Sequence, residues 1–166
     1  ILFGKDETTQ PTRKYLLSDN MYENVASVLY YAGSDDALLT EMGIPFDTPK
    51  PVEVAQRLIQ SISRGTDIVL DFFAGSGTTA HAVMRLNRQD GGRRQCISVT
   101  NNEVAADEQA VLRKKGLRPG DPDWEQWGIC DYITKPRVAA AITGKTPGGE
   151  PIQGDYKFTD EFPIAE

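Results

Sequence analysis

The residues with the clearest capacity for chemistry lie in one string, Asp71-Phe72-Phe73-Ala74-Gly75-Ser76-Gly77-Thr78-Thr79-Ala80. Glycines between an apolar run and an amphipathic one let a backbone and a ligand approach closely, and a helix start offers unsatisfied N–H groups to an anion. A cofactor site follows from that arrangement. The phosphate-binding pattern G-x-x-x-x-G-K-[ST] requires a lysine, and none stands in the string. The dinucleotide pattern G-x-G-x-x-G/A is met by Gly75, Gly77 and Ala80, but a carboxylate at the end of the preceding strand is unhelpful to a diphosphate. Asp71 suits instead a ligand with an ammonium group, and S-adenosylmethionine carries one.

Other reactive residue types read more plainly. His81, the single histidine, falls inside the helix after the glycine turn and is expected to pack. Trp124 and Trp127 are expected to bury one face of a short helix. Cys96 and Cys130 have neither the number for a disulfide framework nor the paired spacing of a zinc site, so no metal is expected. Arg85, Arg88, Arg93 and Arg94 flank Gly91-Gly92, and Arg113, Lys114, Lys115 and Arg118 close a later helical stretch. Both groups read as solvated cations near helix ends.

The elements that must position the string can be read from periodicity and punctuation. The run at 68–73 is short, apolar and rich in branched and aromatic residues, the pattern of a central strand buried on both faces of a parallel sheet. A helix at 78–87 turns Ala82, Val83 and Leu86 inward, and a second strand follows at 95–100, completing a βαβ unit. Upstream, residues 1–18 read as extended, and Asp19 caps a helix carrying Met21, Val25, Val28 and Leu29 up to Gly33. A short helix at 35–42 has Ser34 as its cap and Gly43 past its end. Thr48-Pro49-Lys50-Pro51 then leads into a helix whose Val52, Ala55, Leu58, Ile59 and Ile62 share one face, with Gly65 as the stop. Further helices are expected at 103–115, after the cap Asp121-Pro122, and at 135–143.

With 166 residues and 18.3 kDa the chain is sized for one domain. Hydrophobic residues at 39% and charged residues at 25% suffice for a core and exclude a disordered tail. No run approaches the roughly 20 apolar residues of a membrane span. A net charge of -6 and a pI near 4.9 argue against a self-sufficient nucleic-acid clamp. The cysteine usage fits a reducing, cytoplasmic setting, and the start at Ile1 reads as a piece excised from a longer protein. Residues 1–143 form the predicted ligand-binding part. Residues 144–166, in which five acids face Lys157 alone from Pro147 to Glu166, read as an extended or hairpin-like tail outside the central core.

On these strings the sequence resembles a known family. Asp71-x-Phe73-x-Gly75-x-Gly77-Thr78 is similar to the cofactor motif of S-adenosylmethionine-dependent amino-methyltransferases acting on DNA. Thr48-Pro49-Lys50-Pro51 is similar to the companion motif that precedes it in the circularly permuted β-class of adenine-specific enzymes. Phe3-Gly4-Lys5, Pro11, Arg13-Lys14-Tyr15-Leu16, Leu86-Asn87, Asp90-Gly91-Gly92, Ala141-Ile142-Thr143-Gly144 and Gly154-Asp155-Tyr156-Lys157-Phe158 extend the likeness to the modification subunits of type III restriction systems.

The resemblance implies an α/β, Rossmann-like methyltransferase fold, present in part, and transfer of a methyl group to adenine N6 in DNA. It implies that Asp71 holds the methionine ammonium, that Phe73, Gly75, Ser76 and Gly77 lie against the cofactor, and that Thr78, Thr48 and Lys50 address its carboxylate end. It places Glu103, after the second strand, on the ribose hydroxyls. The spacing exceeds the roughly 20 residues of the compact dinucleotide version, with the turn at 90–94 absorbing the excess. As partners it implies DNA, a restriction subunit and a homodimer of the full-length protein.

The family grips its flipped base with Asp or Asn followed by Pro-Pro and an aromatic residue. This sequence has no Pro-Pro pair, and its nearest string, Asp121-Pro122-Asp123-Trp124, reads as a helix cap. No catalytic residue is therefore assigned, and in the permuted order that motif is expected upstream of Ile1. A nicotinamide-dinucleotide oxidoreductase domain and a non-catalytic interaction fragment are the competing expectations.

Overall fold

Two parallel strands and the helix between them place the candidate site. The computed structural model describes residues 33–164. The extended reading of 1–18, the helix capped by Asp19 and the strings Phe3-Gly4-Lys5, Pro11 and Arg13-Lys14-Tyr15-Leu16 lie outside the described residues. The chain order is α1 (Asp36–Glu41), α2 (Val52–Ile62), β1 (Ile68–Asp71), α3 (Thr78–Asp90), β2 (Gln95–Ser98), α4 (Ala106–Lys114), α5 (Pro122–Glu125) and α6 (Lys135–Thr143). A single π-helical turn, Cys130–Thr134, runs directly into α6, and a 3-10 turn, Thr159–Glu161, lies near the end.

β1 and β2 pair in parallel, with Val69 opposite Cys96 and Leu70 opposite Ile97. Side chains alternate along a strand, so Val69 and Cys96 face the core while Ile68, Leu70, Phe72, Ile97 and Val99 share the other side. Those five are 47 to 62% exposed. Burial on both faces, expected from composition, is thus realised on one: among the described residues only one face of the sheet is covered. The second strand also ends earlier than expected, at Ser98.

The core joins Leu38 and Leu39 of α1, Met42, Ile44, Val52 and Ile59 of α2, Ala82, Val83 and Leu86 of α3, and Ala140 and Ala141 of α6. In α2 the inward stripe is narrower than its spacing suggests, since Leu58 and Ile62 are exposed at 47% and 84%. This helix stops at Ser63, whose hydroxyl donates to the Ile59 carbonyl at 2.7 Å, ahead of the expected Gly65. α3 outruns its expected end by closing on Gly91 at φ +69°. A smaller cluster of Val104, Leu112 and Trp124 sits beside α4.

Residues 144–164 correct the reading of a tail outside the core. They carry one antiparallel bridge between Lys145 and Pro151, but Ile152, Phe158 and Ile164 are buried in the main core. Polar anchors explain the docking. Glu41 accepts the Tyr156 N–H at 3.0 Å, and Arg85 makes a two-pronged pair with Glu161 at 2.8 and 3.2 Å while stacking on the Phe158 ring. Arg85 and Arg94 are consequently buried rather than solvated, the latter clamped on Asp90 at 2.8 and 3.0 Å. Arg94 holds the Asp90 carboxyl below the usual carboxylate range and locks the turn between α3 and β2.

Candidate functional site

β1 ends at Asp71, and the chain turns through Gly75 and Gly77 into α3. The Asp71 carboxylate organises this turn: one oxygen accepts the Phe73 N–H at 3.0 Å and the other the Thr79 hydroxyl at 2.6 Å. A carboxylate offers about four lone-pair sites, so acceptor capacity is left for a ligand. Gly75 and Gly77 have φ of +50° and +80°, a region that favours glycine because it lacks Cβ. Thr134, in the π turn, donates its hydroxyl to the Gly75 carbonyl at 2.6 Å and pins the turn from the far side.

Outside the carboxyl ends of β1 and β2 lies a hollow of about 270 Å³, lined by Phe72, Phe73, Gly75, Val99, Thr100, Asn101, Glu103 and Ile129. Ligands of open α/β sheets bind in that position. Phe73 is 91% exposed, an aromatic ring left open to a ligand. Glu103 also borders a second hollow of about 560 Å³ that includes Asp47, Asp107, Glu108, Phe46, Trp127 and Tyr132.

Helix α4 begins three residues later than its pattern suggests, which leaves Glu103 in the loop after β2. The loop is fixed from the segment before α6. Asn102 accepts the Asp131 N–H at 3.1 Å and donates to the Glu125 carbonyl at 2.6 Å, while the Glu103 carbonyl accepts the Ile129 N–H at 2.8 Å. Gly128 makes this closeness feasible, since a Cβ there would collide with the Asn102 amide.

Among the residues singled out from sequence, Phe73, Gly75 and Glu103 come together around one hollow, with Asp71 at the strand end beside it. Ser76, Gly77 and Thr78 are buried outside its lining. Thr48 and Lys50 are exposed, and of the two Lys50 meets the turn, through main chain: its carbonyl accepts the Thr78 hydroxyl at 3.3 Å. Thr48 has φ +51°, unusual for a β-branched residue and doubly so before proline. Such strain costs about 1–3 kcal/mol and persists only where the surroundings enforce it.

The Asp121-Pro122-Asp123-Trp124 string is the start of α5, with Pro122 in its first turn and Trp124 buried, so the helix-cap reading holds there. Trp127 is only partly buried and stacks at 5.3 Å on Tyr132 in the wall of the larger hollow. His81 packs with no exposed surface, and burial, with Arg137 and Arg85 nearby, pulls its pKa well below the ordinary histidine value.

Sequence reasoning missed the polar centre behind the turn. Arg137, fully buried, donates through Nη1 to the hydroxyls of Ser76 at 3.0 Å and Thr78 at 2.9 Å. Its Nη2 reaches Asp35 at 3.4 Å, and Asp35 in turn accepts the Tyr156 hydroxyl at 2.7 Å. Burial lowers Arg137 to about 10, opposed by Asp35, so it stays a cation at neutral pH. No local signal marks it, because the π turn runs directly into α6 and the side-chain partners of Arg137 lie at least 56 residues away.

Comparison with known proteins gives the family. Residues 7–111 match the family described as DNA methylase. The chain is 36% identical over 170 aligned residues to the type III restriction-modification enzyme StyLTI Mod subunit of Salmonella typhimurium, covering 95% of this chain and 24% of that protein. It is 35% identical over 118 residues to the EcoP15I Mod subunit of Escherichia coli, covering 68% of this chain and 18% of that one. Over 73 residues it is 47% identical to the type II methyltransferase M.KpnI of Klebsiella pneumoniae, covering 44% and 17%. The chain thus spans about a quarter or less of the length of these curated relatives. Its α/β elements, its glycine turn and the extent of the family match place it together with them: the chain belongs to the DNA methylase family.

Proposed function

We propose that this chain is the S-adenosylmethionine-binding part of a site-specific DNA methyltransferase that modifies adenine N6, built on a Rossmann-like sheet. One observation carries the proposal: Phe73, Gly75 and Glu103 line a single hollow at the carboxyl ends of two parallel strands, the first of which ends in Asp71. The residues fit the cofactor. A Cβ on Gly75 would meet only the Phe73 carbonyl, at 3.7 Å, so the missing side chain leaves open space. Asp71 keeps acceptor capacity for an ammonium, Glu103 is exposed for ribose hydroxyls, and the Phe73 ring is free to cover an apolar face.

S-adenosylmethionine supplies a methyl group activated on a sulfonium. The chain's part is to bind and orient: Asp71 and Glu103 fix two ends, Gly75 presents main chain with Ser76, Gly77 and Thr78 building the turn behind it, and Thr48 and Lys50 serve the carboxylate end. Orientation is where such a displacement gains most. The Asp/Asn-Pro-Pro-aromatic motif is not among these 166 residues. We therefore assign base recognition and catalysis to other parts of a full-length protein, with DNA, a restriction subunit and a second copy of the full-length protein as its partners. The open sheet face formed by Ile68, Leu70, Phe72, Ile97 and Val99 suits packing by further elements of such a sheet. No helix among the described residues is long and apolar enough to cross a membrane.

Thermal unfolding in the presence of S-adenosylhomocysteine or NADH tests this reading. A ligand at 100 times its Kd stabilises by about 2.7 kcal/mol, so the homocysteine compound is expected to raise Tm by several degrees and NADH to leave it unchanged. The reverse pattern would install the dinucleotide reading, and a shift with neither would favour an interaction fragment. DNA methylation by this chain alone would contradict the division of labour.

A further inference from the structure

We infer that the buried Asp35–Arg137 pair is a positioning device that holds two cofactor-facing segments, the 48–51 string and the glycine turn, in one register, with Arg137 acting on the turn through the Ser76 and Thr78 hydroxyls. The inference rests on the cofactor reading above. Arg137 lies on α6, and Asp35 just ahead of α1, 102 residues away in the chain. Each contacts a different segment. Arg137 Nη1 takes the Ser76 and Thr78 hydroxyls at 3.0 and 2.9 Å, and the Ser76 carbonyl lies 3.4 Å away. Asp35 accepts the Val52 N–H at 2.7 Å, directly after Pro51, and its own N–H donates to the Pro49 carbonyl at 3.3 Å. The Thr78 hydroxyl closes the circuit on the Lys50 carbonyl at 3.3 Å.

Stability alone does not account for such a pair, because apolar side chains of similar volume serve a core as well or better than a buried ion pair. A planar guanidinium instead fixes several acceptors in one geometry, which a lysine cannot reproduce. The pair touches both segments expected to meet the cofactor, the 48–51 string through the Pro49 carbonyl, next to the strained Thr48. It also turns the Ser76 and Thr78 hydroxyls inward, so that the turn offers main chain rather than side chains to a ligand.

The test combines hydrogen exchange with S-adenosylhomocysteine titration on the chain and its R137K, S76A/T78V and R137K/S76A/T78V variants, each well below its Tm. R137K is expected to raise exchange at least about tenfold at 74–79 and at 49–53 together, leaving 106–114 unchanged, and to weaken binding roughly 10- to 100-fold. Because Arg137 acts through the two hydroxyls, the triple variant should show no further change in the turn beyond S76A/T78V. Should R137K fail to fold, S76A/T78V keeps the ion pair intact and must still loosen the turn and weaken binding. Exchange that rises only in α6 or uniformly, additive effects in the triple variant, or unchanged affinity in folded variants would overturn the inference. If wild type binds no ligand while exchange changes as described, the cofactor reading fails and the mechanical coupling of the two segments stands.

Discussion

Replacing Asp35 with alanine removes the acceptor for three donors at once: the Val52 N–H, the Tyr156 hydroxyl and Arg137 Nη2. The side chain is 2% exposed and Arg137 fully buried, so water does not replace what is lost. Breaking a buried pair by deleting one partner costs about 3–5 kcal/mol, chiefly because the other charge is stranded. That is a large part of the 5–15 kcal/mol a domain usually has. At roughly 2–4 °C per kcal/mol for this size, Tm should fall by about 6–20 °C. Urea unfolding followed by tryptophan fluorescence measures the change, since Trp124 is buried and Trp127 partly so. Removing both charges in D35A/R137M should recover at least about 2 kcal/mol relative to D35A, because no charge is stranded. A loss below about 1 kcal/mol in D35A, or a double variant less stable than the single, would refute this account of the polar centre.

Three further outcomes follow from the same structure. The buried His81 binds its proton less readily when folded than when unfolded, so stability should drop as pH falls below about 6.5, by up to about 1.4 kcal/mol at pH 5.5; H81Q should flatten that part of a urea-midpoint against pH curve. Gly77→Ala places a side chain at φ +80°, with Thr134 at 3.4 Å, and should cost about 1–2 kcal/mol in urea unfolding. Phe158→Ala, within the segment that composition placed outside the core, should cost about 3–5 kcal/mol by the same measurement.

How much was legible in the sequence depended on the range of the forces involved. The strand–turn–helix–strand unit was readable because apolar period, glycine placement and capping are local: α3, β2 and α6 all form where their patterns lie, with ends shifted by a few residues. Asp71 and the two glycines stood out for the same reason. Long-range effects were not readable. Nothing near 103–106 says that Asn102 bonds to Glu125 and Asp131 and delays α4. The tail's acidic, glycine-rich composition hid three core side chains because Arg85, fixed by Glu161 and Phe158, draws the segment inward. Arg137 was overlooked because its side-chain partners lie 56 to 102 residues away, and Asp35 because it joins segments as distant as Tyr156, 121 residues on. The strand's two-sided apolar composition is met by packing on one face among the described residues.

The central claim is that Asp71 and the turn it organises bind S-adenosylmethionine. Calorimetric titration of the chain with S-adenosylhomocysteine, wild type against Asp71→Ala, tests it most directly, with circular dichroism establishing that both proteins are folded. Saturable one-site binding by wild type, lost or weakened at least about tenfold in the variant, is the expected result. Equal binding by both, or none by a folded wild type, would contradict the claim.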